Sequence, residues 1–417
     1  MSTPFIRTSR TSPIPAPALR PRQLLWLVYA LFFVAGVAQA AIVPLLPRLS
    51  SLYGLSPAET ALLLALPGLA TLAVSVPAGL AADRFGARRV TLVAGALLCL
   101  SCLAEAAPSL AVLLLSRVAF GVAFGVVWTT GMAWLAEIDT KGPKGGRLGP
   151  SVTCSSVGVM VGPAVGGILA QHAGVAVPFL LVAAVAALVT APLALGSSSR
   201  PAGRSSRPDP LAQPASLRSL AGLLRRPGVG AAAGGLVVSG AVSGVSQLLI
   251  TLGLHDDGLS TGRVGLAFSA AAFCYIAVSA SIVKLGRRAH TLRFNALATL
   301  ALALALVPAL AGGGPPALVI ALLLTALPRA AIGTVAYSLA SSPGDEAGGG
   351  EGFVFGMLNG AWAGAMVLTP VLAGALDQHG GARAGYLAVI VPSCAIACWL
   401  IARSRPARAQ IAAAGAG

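Results

Sequence analysis

Twelve apolar runs, most of them close to the length of a bilayer span, constrain this chain more than any other feature. They cover residues 24–46, 58–80, 89–107, 110–136, 149–171 and 175–196, then 229–253, 262–284, 292–312, 316–340, 352–376 and 384–402. A bilayer core is crossed by about 20 apolar residues at about 1.5 Å each. In lipid the backbone must satisfy its own hydrogen bonds, so each run is predicted to be helical. The third, sixth and ninth rest on apolar length alone. Only 10% of the residues are charged, against roughly 25% in a soluble chain. The predicted fold class is an all-α membrane protein with twelve transmembrane helices.

A net charge of +16 in a soluble chain would suggest nucleic acid. The distribution argues otherwise. With the N-terminus inside, the outer loops hold only Arg48, Arg263 and Arg383, and Arg117 and Arg329 lie within apolar runs. Every other Lys and Arg falls on the inner side, as the positive-inside rule requires. This predicts a multi-pass protein of the inner cell membrane with both termini cytoplasmic, the lipid bilayer as partner and no nucleic acid. Residues 1–23 have no apolar core and are read as a disordered cytoplasmic tail, not a cleavable signal peptide. Residues 197–228 are polar, Pro-rich and basic, a cytoplasmic linker in which 217–226 can form an interfacial helix. Residues 24–196 and 229–402 are then two six-helix bundles, and 403–417 a second cytoplasmic tail. The six cysteines all fall in apolar runs; Cys99 and Cys102 have a C-x-x-C spacing, which reads as packing with no metal site.

The two halves repeat. GPAVGGILAQHAG (162–174) aligns with TPVLAGALDQHGG (369–381). Gly54-Leu55-Ser56 is echoed by Gly258-Leu259-Ser260, and Arg117-x-x-x-Gly121 by Arg329-x-x-x-Gly333. Two halves of six spans in one orientation predict two pseudo-symmetric six-helix bundles related by an axis along the membrane normal.

Three motifs carry chemistry. After the second span comes Gly79-Leu80-Ala81-Ala82-Asp83-Arg84-Phe85-Gly86-Ala87-Arg88-Arg89. Gly79 allows close helix packing, Asp83 needs an Arg or a helix N-terminus, and Gly86 suits a tight turn. The fifth span carries Gly149, Gly158, Gly162, Pro163, Gly166 and Gly167. Glycines four apart let a neighbouring helix approach, and the proline frees a carbonyl and bends the helix. In the fourth span, Arg117 lies about 10 Å from the outer helix end. An Arg at the centre of an isolated span costs about 2.5–3.5 kcal/mol on insertion scales. Arg117 is therefore predicted to face a central cavity, with snorkelling to the outer interface as the alternative.

The second-span loop resembles the signature loop of the major facilitator superfamily, with Ala81 and Ala87 as departures. The fifth-span pattern resembles the antiporter motif of its drug:proton antiporters. Trp128–Glu137 and Ile42–Pro47 resemble the twelve-span drug:proton antiporter branch, and within it the vesicular-amine-transporter-like members. The resemblance implies alternating access, with the Asp83, Arg84 and Arg88 loop latching the halves in the outward-open state. It also implies a proton-coupling role for Arg117. The first span departs from many relatives: Ala35 to Ala41 contains only Gln39 as a polar side chain, where an acid is common. Glu137 reads as a partner of the Arg88 loop. Glu105 is either a proton carrier coupled to Arg117 or a solvated helix end.

Cavity candidates are Gln39, Phe120, Phe124, Trp128, Gln247, Tyr275, Asn359 and Trp362, since aromatics suit flat, apolar or cationic ligands. The function expected is export of a small organic molecule or drug by proton antiport, from a monomer using no cofactor beyond the proton gradient. The alternative is a facilitator or importer of a small metabolite. A membrane enzyme is disfavoured, because His172, His255, His290 and His379 are scattered and no G-x-S-x-G or H-E-x-x-H pattern occurs.

Overall fold

The computed structural model describes residues 20–138, 145–195, 222, 224–285, 291–340 and 351–404. The first half holds α1 (Pro21–Tyr53), α2 (Pro57–Phe85), α3 (Ala87–Glu105), α4 (Leu110–Glu137), α5 (Gly145–Ala173) and α6 (Ala176–Leu195). The second holds α7 (Pro227–Asp256), α8 (Thr261–Leu285), α9 (Leu292–Ala311) and α10 (Gly314–Ala340). The last helical stretch, Glu351–Arg403, is interrupted at Gly381, whose φ of 69° and ψ of 173° no helix accommodates. Glycine alone adopts such a conformation readily. The stretch is thus α11 (351–380) and α12 (382–403), and the described residues hold the twelve predicted spans. Twelve crossings return the chain to the face it left. That face is called terminal below, and the other opposite.

Several spans are locally irregular. α1 passes through a 3-10 turn at Val43–Leu45, beside Pro44 and Pro47, and α7 through a π segment at Ser246–Ile250. α9 is interrupted before Pro308. α5 runs unbroken through Pro163. The signature loop is much shorter than the sequence predicts. Ala81 and Ala82 continue α2, so Asp83 and Arg84 are helical, and Gly86 with φ 90° is the whole connection to α3.

Each half has its own apolar core. One is built from α7–α12 with Val43 and Ala61 joining from the first half, and two more belong to α1–α6. Glycines set the closest approaches. Gly158, Gly162 and Gly166 of α5 lie against the backbone of α1 at Phe33, Val37 and Ala41. In the second half these positions are Ala365, Thr369 and Ala373, and the glycines have changed sides: Gly240 and Gly244 of α7 lie against Trp362, Met366 and Pro370 of α11. The α1–α5 and α7–α11 contacts are thus equivalent, with the missing side chain supplied by either partner.

The halves meet in the same pseudo-symmetric way. Gly167 of α5 packs on the Thr261 carbonyl that begins α8, and its counterpart Gly374 of α11 packs on the Pro57 carbonyl that begins α2. Gly265 meets the Pro163 carbonyl, and Gly68 meets Val367. Ala164 N donates to Ser269 Oγ at 3.0 Å, and Gly262 N to Gln171 Oε1 at 3.0 Å. Gln171 therefore caps an otherwise orphaned donor of α8 from across the interface. These contacts all lie toward the opposite face. Toward the terminal face, Gly79 of α2 and Gly356, Gly360 and Gly364 of α11 have, among the described residues, no atom within 4 Å of a Cβ position. Gly79 was expected to mediate close packing; here that surface is uncovered. The contacts described between the halves thus cluster toward the opposite face, and these glycine positions toward the terminal face are uncovered.

Most of the predicted tails and linker, Asp139 and most of the second-half basic loop lie outside the described residues, but α1 already begins at Pro21 and α7 at Pro227, so the helices extend into the segments read as tail (1–23) and linker (197–228).

Candidate functional site

The site begins with a proline. Pro67 in α2 has no N–H to offer the Leu63 carbonyl one turn back. Arg117 of α4 replaces it: Nε donates to the Leu63 carbonyl at 3.0 Å. Its Nη1 donates to Glu105 Oε1 of α3 at 2.9 Å, a buried ion pair with side chains 2% and 1% exposed. The guanidinium carbon lies 4.8 Å from the Phe120 ring centroid. Three helices therefore converge on one cation. A buried charge is tolerable only with this degree of pairing and hydrogen bonding.

This corrects three expectations. Arg117 neither faces an open cavity nor snorkels to an interface; it is buried between α2, α3 and α4. Glu105 is no solvated helix end, and its Oε2 is buried with no partner among the described residues. Phe120 is 1% exposed and belongs to the core of the first half, beneath Arg117. The sequence signal that finds the arrangement is Pro67 placed four residues after a carbonyl within reach of α4. Gly121 packs on Pro67, which keeps the helices close enough for the bond.

The other cavity candidates divide. Phe32, Trp128, Phe124 and Phe120 form an aromatic row with centroid separations of 5.1, 6.2 and 5.8 Å. Trp128 Nε1 and Gln39 Oε1 are buried without hydrogen-bond partners among the described residues, so both remain available to a ligand. Gln247, Tyr275 and Trp362 are partly exposed, and Asn359 on α11 is exposed near the uncovered terminal face. Among the described residues no ring contact or hydrogen bond joins these second-half positions to the aromatic row.

The signature segment stands open. Among the described residues exposed Asp83 has no ionic partner, and Arg84 stacks over Phe85 at 5.2 Å. Arg88 Nη2 donates to the Leu193 carbonyl at 3.1 Å in the last turn of α6, a favourable place for a cation. Glu137 ends α4 and Gly149 lies in the first turns of α5, but their side chains lie outside the described residues. The glycine pattern does two tasks: Gly158, Gly162 and Gly166 seat α1, while Pro163 and Gly167 face α8 across the interface.

One echo in the repeat is not a structural equivalence. Counting from the helix starts, Leu110 and Gly314, Arg329 lies two turns deeper than Arg117. The contacts agree. Gly125 packs on Thr71 of α2, and Arg329 lies over Tyr275 of α8, the position corresponding to Thr71 when Pro57 is set on Thr261. Arg329 is therefore a separate feature and not the counterpart of Arg117.

The comparisons agree with this architecture. The family profile of the Major Facilitator Superfamily matches residues 28–350. The transporter ppzB of Metarhizium majus is 33% identical over 117 residues, 27% of this chain and 25% of that protein. Multidrug resistance protein 2 of Bacillus subtilis is 27% identical over 157 residues, 37% of this chain and 39% of that protein. The chain thus matches only about a quarter to two fifths of these relatives' lengths. Among solved structures, an inward-facing, unoccupied bacterial homologue of the human lysosomal transporter Spinster superposes with a TM-score of 0.74 at 15% identity, covering 92% of this chain and 97% of that one. A D-xylose–proton symporter gives 0.69 at 15% identity, covering 90% and 96%. At that identity the likeness is one of fold. A superfamily profile spanning most of both six-helix halves leads to one conclusion: this chain belongs to the Major Facilitator Superfamily.

Proposed function

We propose that this transporter exports a small organic molecule in exchange for protons, from a monomer in the inner cell membrane with both termini cytoplasmic. The terminal face is then the cytoplasmic one, and the state described above is loaded from inside. The observation that carries the reading is the buried Arg117–Glu105 pair. Arg117 also grips α2 through the Leu63 carbonyl, and α2 contributes Pro57 and Gly68 to the closed opposite face. A proton arriving on Glu105, whose Oε2 is unpartnered, weakens the ion pair and loosens that grip. Proton binding is thereby linked to opening at the opposite face. Gln39, Phe124, Trp128, Gln247, Tyr275, Asn359 and Trp362 supply the lining met by the cargo. Asp83, Arg84 and Gly86 serve the outward-open state, in which the uncovered glycines of α2 and α11 come together. The drug:proton antiporter branch is supported by the intact fifth-span pattern and by the stretch matching a multidrug resistance protein. No cofactor is required: one charge crossing 100 mV is worth about 2.3 kcal/mol, roughly fiftyfold in concentration.

The lack of an acid around Gln39 favours a second reading, a facilitator or importer. Everted vesicles separate the two. Export predicts accumulation of a fluorescent amphiphile such as ethidium that collapses when an uncoupler is added. Accumulation indifferent to the uncoupler would favour the facilitator.

A further inference from the structure

The first half balances the charge it buries, because Arg117 has Glu105. The second half does not. Arg329 stands in α10, 11 residues from the terminal end at Ala340, about 16 Å deep. It is partly exposed, and among the described residues its buried Nε has no hydrogen-bond partner. Its guanidinium carbon lies 5.7 Å from the Tyr275 ring centroid. The Tyr275 hydroxyl occupies the space left by Gly333, where a Cβ would meet it at 2.8 Å.

Among the described residues no acid answers this cation: Asp256, Asp257, Glu351 and Asp377 all lie within about a turn of a helix end, and α9 carries none. α8 has no proline, so it offers no freed carbonyl of the kind that Leu63 provides. A charge inside a span is costly and is kept where it works on a substrate or ion. The guanidinium fork matches a carboxylate with two parallel hydrogen bonds. Tyr275 and Trp362 stand at a similar depth, 10 and 11 residues from their terminal helix ends, where their rings can cover a flat apolar body.

We propose that Arg329 and Tyr275 form a recognition site for the anionic group of one class of cargo, aromatic or amphipathic carboxylates. This rests on the reading that the space between the halves receives the cargo. A lipid phosphate is a poor alternative, since headgroups lie about 15 Å away at the membrane surface.

The test uses one ring system with three charges: naphthoate, naphthylmethanol and naphthylmethylammonium, at equal ionic strength. Thermal unfolding of the purified protein in nanodiscs is followed with each. Naphthoate is expected to stabilise the wild type most, and Arg329→Gln to weaken its apparent affinity about tenfold or more. Arg329→Lys should keep part of the effect. If Arg329→Gln does not fold, Gly333→Ala, which displaces the Tyr275 hydroxyl, should reduce the naphthoate effect with the cation still present. Equal stabilisation by all three probes, preference for the ammonium, or a naphthoate effect unchanged in these variants overturns the site. Binding is read without transport, so uncoupler-sensitive ethidium transport surviving such a result would leave the exporter reading standing. Loss of that transport with anion preference intact would do the reverse.

Discussion

Arg117→Ala is expected to cost about 3–5 kcal/mol of stability and to abolish energised transport. The cost follows from what the substitution strands: Glu105 is left buried without its cation, and breaking a buried pair on one side has a penalty of this size. The Leu63 carbonyl also loses its donor, about 1–3 kcal/mol of that total. The combined variant Arg117→Met, Glu105→Gln separates structure from coupling. With both charges gone it should regain most of the lost stability, leaving the carbonyl term, yet remain unable to drive uncoupler-sensitive transport. Thermal unfolding and everted-vesicle transport measure the two effects. Transport at the wild-type level in the combined variant would remove the pair from energy coupling. Unchanged stability in Arg117→Ala would mean that the pair is not buried as described.

The second large effect contrasts two glycines. Gly158 lies against the Phe33 carbonyl of α1, so Gly158→Leu forces α1 away from α5. Overpacking of this kind costs about 1–3 kcal/mol and often more when backbone must move. The folded protein recovered from membranes should fall sharply. Gly360 has open space around its Cβ position, so Gly360→Leu should stay within about 0.5 kcal/mol of the parent. Its transport should nevertheless drop about tenfold or more, because the wedge obstructs closure of the terminal face. Full transport by Gly360→Leu would argue that α2 and α11 never approach there.

These two predictions mark what was legible in the sequence. Span number, the duplicated halves and the glycine pattern follow from apolar length and spacing, because lipid leaves the backbone few options. The meaning of Gly158, Gly162 and Gly166 was legible on one side only. Their second-half positions carry Ala and Thr, and the compensating Gly240 and Gly244 lie on a different helix, where periodicity gives no hint. Arg117 was conspicuous, but its burial depends on Pro67 and Glu105 arriving from two other helices. The Arg329 echo misled because a short Arg-x-x-x-Gly pattern recurs without regard to depth. Phe120 was assigned to the cavity because residue type cannot tell which face of α4 turns inward. Gly79, Gly356, Gly360 and Gly364 have no neighbours among the described residues in this state, and only a change of state gives them a role.

The claim beneath all of this is that the two halves exchange openness around a shared cavity. Spin labels test it most directly, in a background freed of the six native cysteines. One pair, at Leu52→Cys and Asp257→Cys, reports on the opposite face; another, at Phe85→Cys and Gly356→Cys, reports on the terminal face. Between acidic and alkaline pH, with and without ethidium, the two distances should move in opposite senses, one lengthening as the other shortens. Distances that stay fixed under every condition, or that lengthen and shorten together, would contradict the account.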